Sequence, residues 1–214
     1  MTPHAAGRQS RAELRFAAWY DRINAVAEQR WAGRLRRRLV ADLGGQVLDL
    51  GAGTGANLPY FRAASTVIAV EPSAAMREHL TARLGGAQVP AQVVAAVGEE
   101  LPFPAATFDA VVCTLVLCTV PDPARTLAEI RRVLKPDGTM VFLEHVRARG
   151  LVACAQDMLT PLLRHFGAGC HPNRDTLAAL RAAGFALHDV EAFKPVPRFP
   201  LIAPFVAGTA RPAG

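Results

Sequence analysis

The stretch Val47-Leu48-Asp49-Leu50-Gly51-Ala52-Gly53-Thr54-Gly55-Ala56-Asn57 constrains this chain more than any other. Gln46 to Leu50 is a short run dominated by apolar residues, and such a run reads as a buried parallel strand. Gly51, Gly53 and Gly55 follow at alternate positions, and a helix from about Ala56 to Arg62 is expected after them. Glycine tolerates positive φ and lets a ligand lie against the backbone, while a helix N-terminus offers unpaired N–H donors. The stretch is therefore a ligand cradle, and two ligands compete for it. Gly51-x-Gly53-x-x-Ala56, with Glu71 twenty residues on, satisfies the dinucleotide fingerprint of a reductase, in which the acid holds a ribose hydroxyl. Counted from Asp49, the same residues read acid-x-Gly-x-Gly-x-Gly. The glycines alone do not decide between them.

The surrounding chain alternates strand and helix. Leu14, Ala17, Ala18, Ile23, Val26 and Ala27, then Trp31, Leu35 and Leu39, recur at helical spacing from Ser10 to about Asp42. Further strands are expected at Thr66 to Val70, Gln92 to Val97, Phe108 to Thr114 and Thr139 to Glu144. Ser73 caps a helix that runs to about Leu84, and Asp122-Pro123 starts one that runs to Leu134. Lys135 to Gly138 reads as a turn. This alternation specifies a parallel, doubly wound sheet. The end differs: after a helix at about Arg174 to Ala182, Phe185 to Ala192 is a strand. The proline-rich bend Lys194 to Pro200 then leaves no room for a helix before Leu201 to Thr209. The last two strands are most simply a hairpin-like, antiparallel pair.

At 214 residues the chain suits one domain. No run approaches the apolar length of a membrane span, and Met1 to Arg15 has no signal-peptide core. Cys113, Cys118, Cys154 and Cys170 form no CxxC pair and no zinc spacing, so no metal is read from them and a reducing, cytoplasmic setting is expected. The net charge is +6, and the densest arginine cluster is Arg34, Arg36, Arg37 and Arg38. Without an aromatic platform or binding motif, that cluster reads as a solvated helix face, not a nucleic-acid surface.

Asp49-x-Gly51-x-Gly53-x-Gly55 resembles the first motif of the class I methyltransferases that use S-adenosylmethionine (SAM). Val67 to Ser73 with Met76, Glu99 to Phe103 followed by Phe108-Asp109, and Leu134 to Thr139 resemble later motifs of the same family, in order, over about residues 45 to 145. Within it, Val112 to Val120, Glu144-His145-Val146, Gly169-Cys170, Asn173-Arg174 and Pro204 to Ala210 are similar to the microsomal thiol S-methyltransferases of the methyltransferase-like group. That group's hydrophobic N-terminal anchor has no counterpart in this sequence, which argues against membrane association. The resemblance implies a Rossmann-like, seven-stranded sheet, parallel with the last strand antiparallel, preceded by helices. It implies one methyltransferase domain over 1–214: a helical cap at 10–43, a SAM-binding core at 45–145, and an acceptor segment with the final strands at 146–214. It also implies a small-molecule acceptor, with a thiol first and an oxygen or nitrogen atom, including a lipid amine, second. A SAM-binding module without catalysis is the alternative from another class.

The resemblance assigns cofactor contacts to Asp49, Gly51, Ala52, Gly53, Gly55 and Asn57 in the loop, and to Glu71 for the ribose hydroxyls. Pro72 and Met76 would flank the adenine, Glu99 or Glu100 would take its edge, and the backbone of Cys113 and Thr114 would face the methionyl portion. Tyr20 is either a lid over the cofactor or packing against the sheet. His145, at the end of strand five, is a candidate base or a structural histidine; Asp157 and His171, between strands five and six, are weaker candidates, and Cys118 could touch the acceptor but has no role as a nucleophile in direct transfer. Leu151, Val152, Met158, Leu159, Leu162, Leu163 and Phe166, within Arg147 to Asn173, are either acceptor-pocket lining or helix core.

Overall fold

The structure, a computed structural model, describes residues 19–20, 22, 25–166, 169–195 and 204–213. Residues 1–18, Ile23, the bend at 196–200 and residues 201–203 of the expected last strand lie outside them. So do the side chains of Leu163 and Phe166.

Seven strands form one sheet in the order β3-β2-β1-β4-β5-β7-β6. They are β1 Gly45–Leu50, β2 Ala64–Val70, β3 Ala91–Val94, β4 Phe108–Thr114, β5 Leu134–His145, β6 Phe185–Phe193 and β7 Phe205–Pro212. β1 pairs parallel with β2 and β4, and β4 parallel with β5. β7 runs antiparallel to both β5 and β6, which is the expected inverted ending. The helices are α1 Gly33–Val40, continuing a π-helical turn Glu28–Ala32, then α2 Ala74–Arg83, α3 Pro123–Val133, α4 Leu151–Phe166 and α5 Thr176–Ala182. Ser73, Asp122 and Asp175 cap α2, α3 and α5 through side-chain oxygens that accept a backbone N–H.

Alternation along β1 separates two cores. Leu48 and Leu50 face Leu127, Ile130 and Leu180 of α3 and α5. Val47 faces Val40, Leu58, Phe61 and Leu80 on the other side, the side to which period two also assigns Asp49. Trp31 packs edge-on against Phe193 and Phe205 at 5.9 and 5.1 Å, anchoring the N-terminal helices to the β6–β7 end.

Three expectations change. The helix after the glycines shrinks to a 3₁₀ turn, Leu58–Tyr60, because Leu58 and Phe61 both bury against the sheet and Phe61 is already extended. The expected turn at Lys135 to Gly138 is a bulge inside β5: Leu134 pairs with Phe108, but Thr139 pairs with Ala110. The described part of the α4 apolar stripe is largely exposed. Leu151, Met158 and Leu162 are 88, 81 and 56 % exposed, while Ala153, Gln156 and Thr160 face inward. Among the described residues no helix is long and apolar enough to cross a membrane.

Candidate cofactor and acceptor site

β1 and β4 lie side by side at the point where the strand order reverses, and ligands of α/β sheets bind at the carboxyl ends of such strands. A cavity of about 740 Å³ opens there, within the range of small-molecule sites. Its walls are the glycine loop, the turn after β2, residues 96–99, and the loop after β4 from Leu115 to Pro121.

The glycine loop shapes one wall by backbone alone. Gly51 has φ +61° and a Cβ there would meet Val116 Cγ2 at 2.7 Å. Gly53 has φ +58°, yet a Cβ there would meet nothing within 4 Å: the space in front of it is open. That cradle fits a ligand laid on the backbone. Since no helix of useful length follows the loop, there is no helix N-terminus to hold a pyrophosphate, and the dinucleotide reading loses its physical basis.

Glu71 links the loop to β2. Its Oε2 accepts the Gly53 N–H at 3.0 Å, its Oε1 accepts the Ser73 N–H at 2.8 Å, and it lines the cavity while 7 % exposed. Burial raises its pKa, against the two N–H bonds and Arg77. Across the cavity, Glu99 is on the wall and Glu100 is exposed and off it. Glu99 Oε1 accepts the N–H of Asp122 at 3.1 Å.

Behind the loop lies a buried polar layer. Asn57 donates to Asp49 Oδ1 at 2.7 Å and to Thr114 Oγ1 at 3.1 Å. Arg36 Nη1 donates to Asn57 Oδ1 at 2.7 Å and to Thr114 Oγ1 at 2.8 Å, and its Nε donates to Glu28 Oε2 at 3.2 Å. Arg36 is only 8 % exposed, so the arginine cluster is not wholly a solvated face. Burial pushes the Asp49 carboxyl up to about 7 even though Asn57 and Arg36 pull it down. Asp49 Oδ2 has no hydrogen-bond partner.

The loop after β4 is held from below. Leu115 is turned out of the sheet at φ +62°, a strained value for a leucine. The fully buried Glu144 carboxylate then accepts the N–H groups of Val116, Leu117 and Cys118 at 2.8, 2.9 and 3.2 Å. From the other side Arg174 Nη1 donates to the carbonyls of Leu117 and Val120 at 2.6 and 2.8 Å. Beside this loop, Cys118, His145 and Cys170 converge although they are 27 and 25 residues apart. Cys170 Sγ is 3.4 Å and Cys118 Sγ 3.7 Å from His145 Nδ1. The contact between the two sulfurs, and then His145, lowers the Cys170 thiol pKa; the same contact and burial raise that of Cys118.

Of the expected contacts, Tyr20, Gly51, Gly53, Glu71, Pro72, Met76 and Glu99 line the cavity. Asp49, Ala52, Gly55, Asn57 and Thr114 lie off its wall; Asp49, Asn57 and Thr114 form the layer beneath, and the Ala52 N–H donates to the Val70 carbonyl. Cys113 is core packing at 0 % exposed, and Leu115 and Val116 take the wall position expected of Cys113 and Thr114. Asp157 is exposed, off the cavity wall and paired with Arg147 and Asn173, with its pKa lowered by Arg147, so it ties α4 to the segments after β5 and before α5. His145 also stands off the wall, its ring 4.3 Å from that of Phe205. His171 Nδ1 lies 3.3 Å from the Cys118 carbonyl, and its pKa is lowered chiefly by burial. No described residue of Arg147 to Asn173 lines the cavity. Leu115, Val116, Thr119 and Val120 were missed as lining, and Arg36 and Glu144 as the charges beneath.

A doubly wound sheet with an inverted last strand, a glycine cradle and an acid at the end of β2 defines a SAM-dependent methyltransferase. The chain belongs to that family: residues 48–142 match the methyltransferase domain, and SAM is its cofactor. It is 35% identical to the rat (Rattus norvegicus) thiol S-methyltransferase TMT1B over 169 residues, 77% of this chain and 69% of the relative. It is 30% identical to the phosphatidylethanolamine N-methyltransferase of Cereibacter sphaeroides over 70% of this chain and 74% of the relative. Among solved structures, a possible histamine N-methyltransferase from Thermotoga maritima superposes with a TM-score of 0.68 at 22% identity, covering 92% of this chain and 96% of that one.

Proposed function

We propose that this enzyme methylates the sulfur of a small, hydrophobic thiol. The observation that carries the reading is the 35% identity to a thiol S-methyltransferase over 77% of this chain. The cavity supports it: Leu50, Val70, Leu115, Val116, Val120 and Pro121 give it a largely apolar lining. SAM supplies an already activated methyl group on a sulfonium. The protein's task is alignment, and alignment can contribute roughly 7–11 kcal/mol to lowering a barrier.

In this reading Gly51 and Gly53 provide the backbone surface on which the cofactor rests. Glu71 keeps lone pairs for the ribose hydroxyls after receiving the N–H groups of Gly53 and Ser73. Pro72 and Met76 flank the adenine, and Glu99 takes its edge. Tyr20 closes the cavity as a lid. Asp49 acts on the methionyl ammonium by holding Asn57, and so the loop, in place; its unpartnered Oδ2 is the anionic end of that arrangement. Replacing Glu71 by alanine is expected to weaken SAM binding by roughly 1–3 kcal/mol, because a buried hydrogen-bonding carboxylate is lost. Calorimetry with S-adenosylhomocysteine measures this, and an unchanged affinity would remove Glu71 from the site.

A lipid amine is the second reading. It is favoured by the phosphatidylethanolamine N-methyltransferase relative and by the outward apolar face of α4. SAM turnover on matched thiol, phenol and amine compounds of one hydrophobic skeleton separates the two. The thiol is expected to turn over fastest. Methylation of the amine or phenol with none of the thiol reverses the assignment, and no turnover on any acceptor favours a binding module.

A further inference from the structure

The cluster of Cys118, His145 and Cys170 has no part in holding the cofactor, yet its three donor atoms lie within 4.8 Å of one another. Zinc binds thiolate sulfur at about 2.3 Å and imidazole nitrogen at about 2.0–2.1 Å in tetrahedral geometry, which places a sulfur and a nitrogen about 3.5 Å apart. The two sulfur-to-Nδ1 separations here are 3.4 and 3.7 Å. A thiol S–H donating to the imidazole accounts for one such contact; here both sulfurs stand at zinc-like distances from the same ring nitrogen. All three groups belong to the donor set that zinc prefers, and two thiolates neutralise the ion.

The frame that holds them is rigid and polar. Glu144 fixes the Cys118 amide, and the His171 N–H donates to the Cys118 carbonyl at 2.7 Å, tying the loop that carries Cys170 to the one that carries Cys118. The Phe205 ring sets the tilt of the imidazole. Among the described residues no fourth ligand joins these three, and three protein ligands are the pattern of an open site rather than a closed structural one. Thr119, the residue after Cys118, is on the cavity wall, as is Val116 two residues before it.

From this we infer that Cys118, His145 and Cys170 bind a zinc ion whose remaining position takes the sulfur of the acceptor as a thiolate. The second half rests on the thiol reading above. The acceptor's S–H proton passes to solvent when the sulfur joins the ion. The sulfur lone pair then attacks the methyl carbon as the carbon–sulfonium bond breaks, leaving a neutral thioether and S-adenosylhomocysteine. Bound thiolate forms well below the ordinary thiol pKa of about 8.5, so no separate base is required and His145 acts as a ligand.

The test begins with metal content. Protein purified with zinc present and passed through a desalting column is expected to hold one zinc per chain. Cys170→Ser and His145→Ala, with folding checked by circular dichroism, are expected to hold none. Retention equal to that of the parent in both folded variants overturns the site, as does a parent with no zinc. Cobalt is then exchanged in, and the absorption spectrum is followed as 2-mercaptoethanol is added. Growth of the thiolate-to-cobalt band on thiol addition is expected. A cobalt spectrum that ignores the thiol overturns the acceptor's place on the ion. Turnover is scored separately: bound metal without thiol methylation sinks the acceptor reading and leaves the metal site standing.

Discussion

Arg36→Met is expected to cost about 3 kcal/mol of stability, roughly 6–12 °C in melting temperature for a chain of this size. The guanidinium is buried and is the cation facing Asp49 across Asn57 and Thr114. Methionine fills the space of the stem but leaves the Asn57 oxygen short of a donor and the Asp49 carboxylate short of a cation. Removing one partner of a buried charge network typically costs about 3–5 kcal/mol. The lower end applies because Asp49, already up at about 7, can retain a proton instead of standing charged.

That escape has a pH signature. A folded pKa raised above the unfolded value of about 3.9 means that the native state binds more protons than the unfolded chain between the two values. Stability therefore falls as pH rises through that window. Losing Arg36 raises the folded value further and widens the window upward, so the variant's deficit should be smaller at about pH 5 than at about pH 8. Urea denaturation at both values measures it. Arg38→Met is the control: its partner Glu191 and its own side chain are both more than half exposed, and a change within about 0.5 kcal/mol is expected. Equal costs for the two arginines would return the whole cluster to the surface.

How much of this was legible in the sequence depends on how local each cause is. β1, β4 and the Asp122-capped α3 emerge within a residue of their expected bounds, because burial on both faces and a cap with proline behind it are properties of adjacent residues. Glu71 was legible for the same reason, as the acid that ends a β-branched strand. Arg36 was not read, although a signal existed. Ala32, Arg36 and Val40 are spaced by four and all are buried, so the arginine lies on the inward stripe of its helix. Four arginines in five residues hid which one turned in. The α4 stripe misled in the opposite sense, since its apolar period is helical but its buried side is the small and polar one, held by Gln156. Gln156 Oε1 accepts the Ala148 N–H at 2.7 Å. Cys118, His145 and Cys170 carry no linear signature because the loop after β4, the last residue of β5 and the loop before α5 supply them. Only the order β1-β4-β5-β7 brings those segments to one edge.

The other large effect concerns Glu144, which looks from the sequence like one more strand residue beside His145. Glu144→Ala is expected to cost about 4 kcal/mol, because it strips the acceptor from the N–H groups of Val116, Leu117 and Cys118 inside the protein. Each buried unpaired group costs about 1–3 kcal/mol, and neighbours recover part by shifting. Val116 lines the cavity and closes against Gly51, so SAM affinity should fall along with stability. Glu144→Gln separates charge from acceptor capacity. Its oxygen can still serve Val116 and Leu117 while its amide nitrogen cannot accept from Cys118, and a loss of about 1–2 kcal/mol is expected. The glutamine also removes a titration. Burial holds Glu144 up at about 7, opposed by its three N–H bonds. The parent therefore loses this contribution as pH rises from about 4.3, where the unfolded glutamate ionises, towards 7, and the glutamine variant does not. The gap between parent and Glu144→Gln should narrow over that interval in denaturant titrations. A Glu144→Ala protein within 1 kcal/mol of the parent would show that these amides find another acceptor and that the carboxylate does not hold the loop.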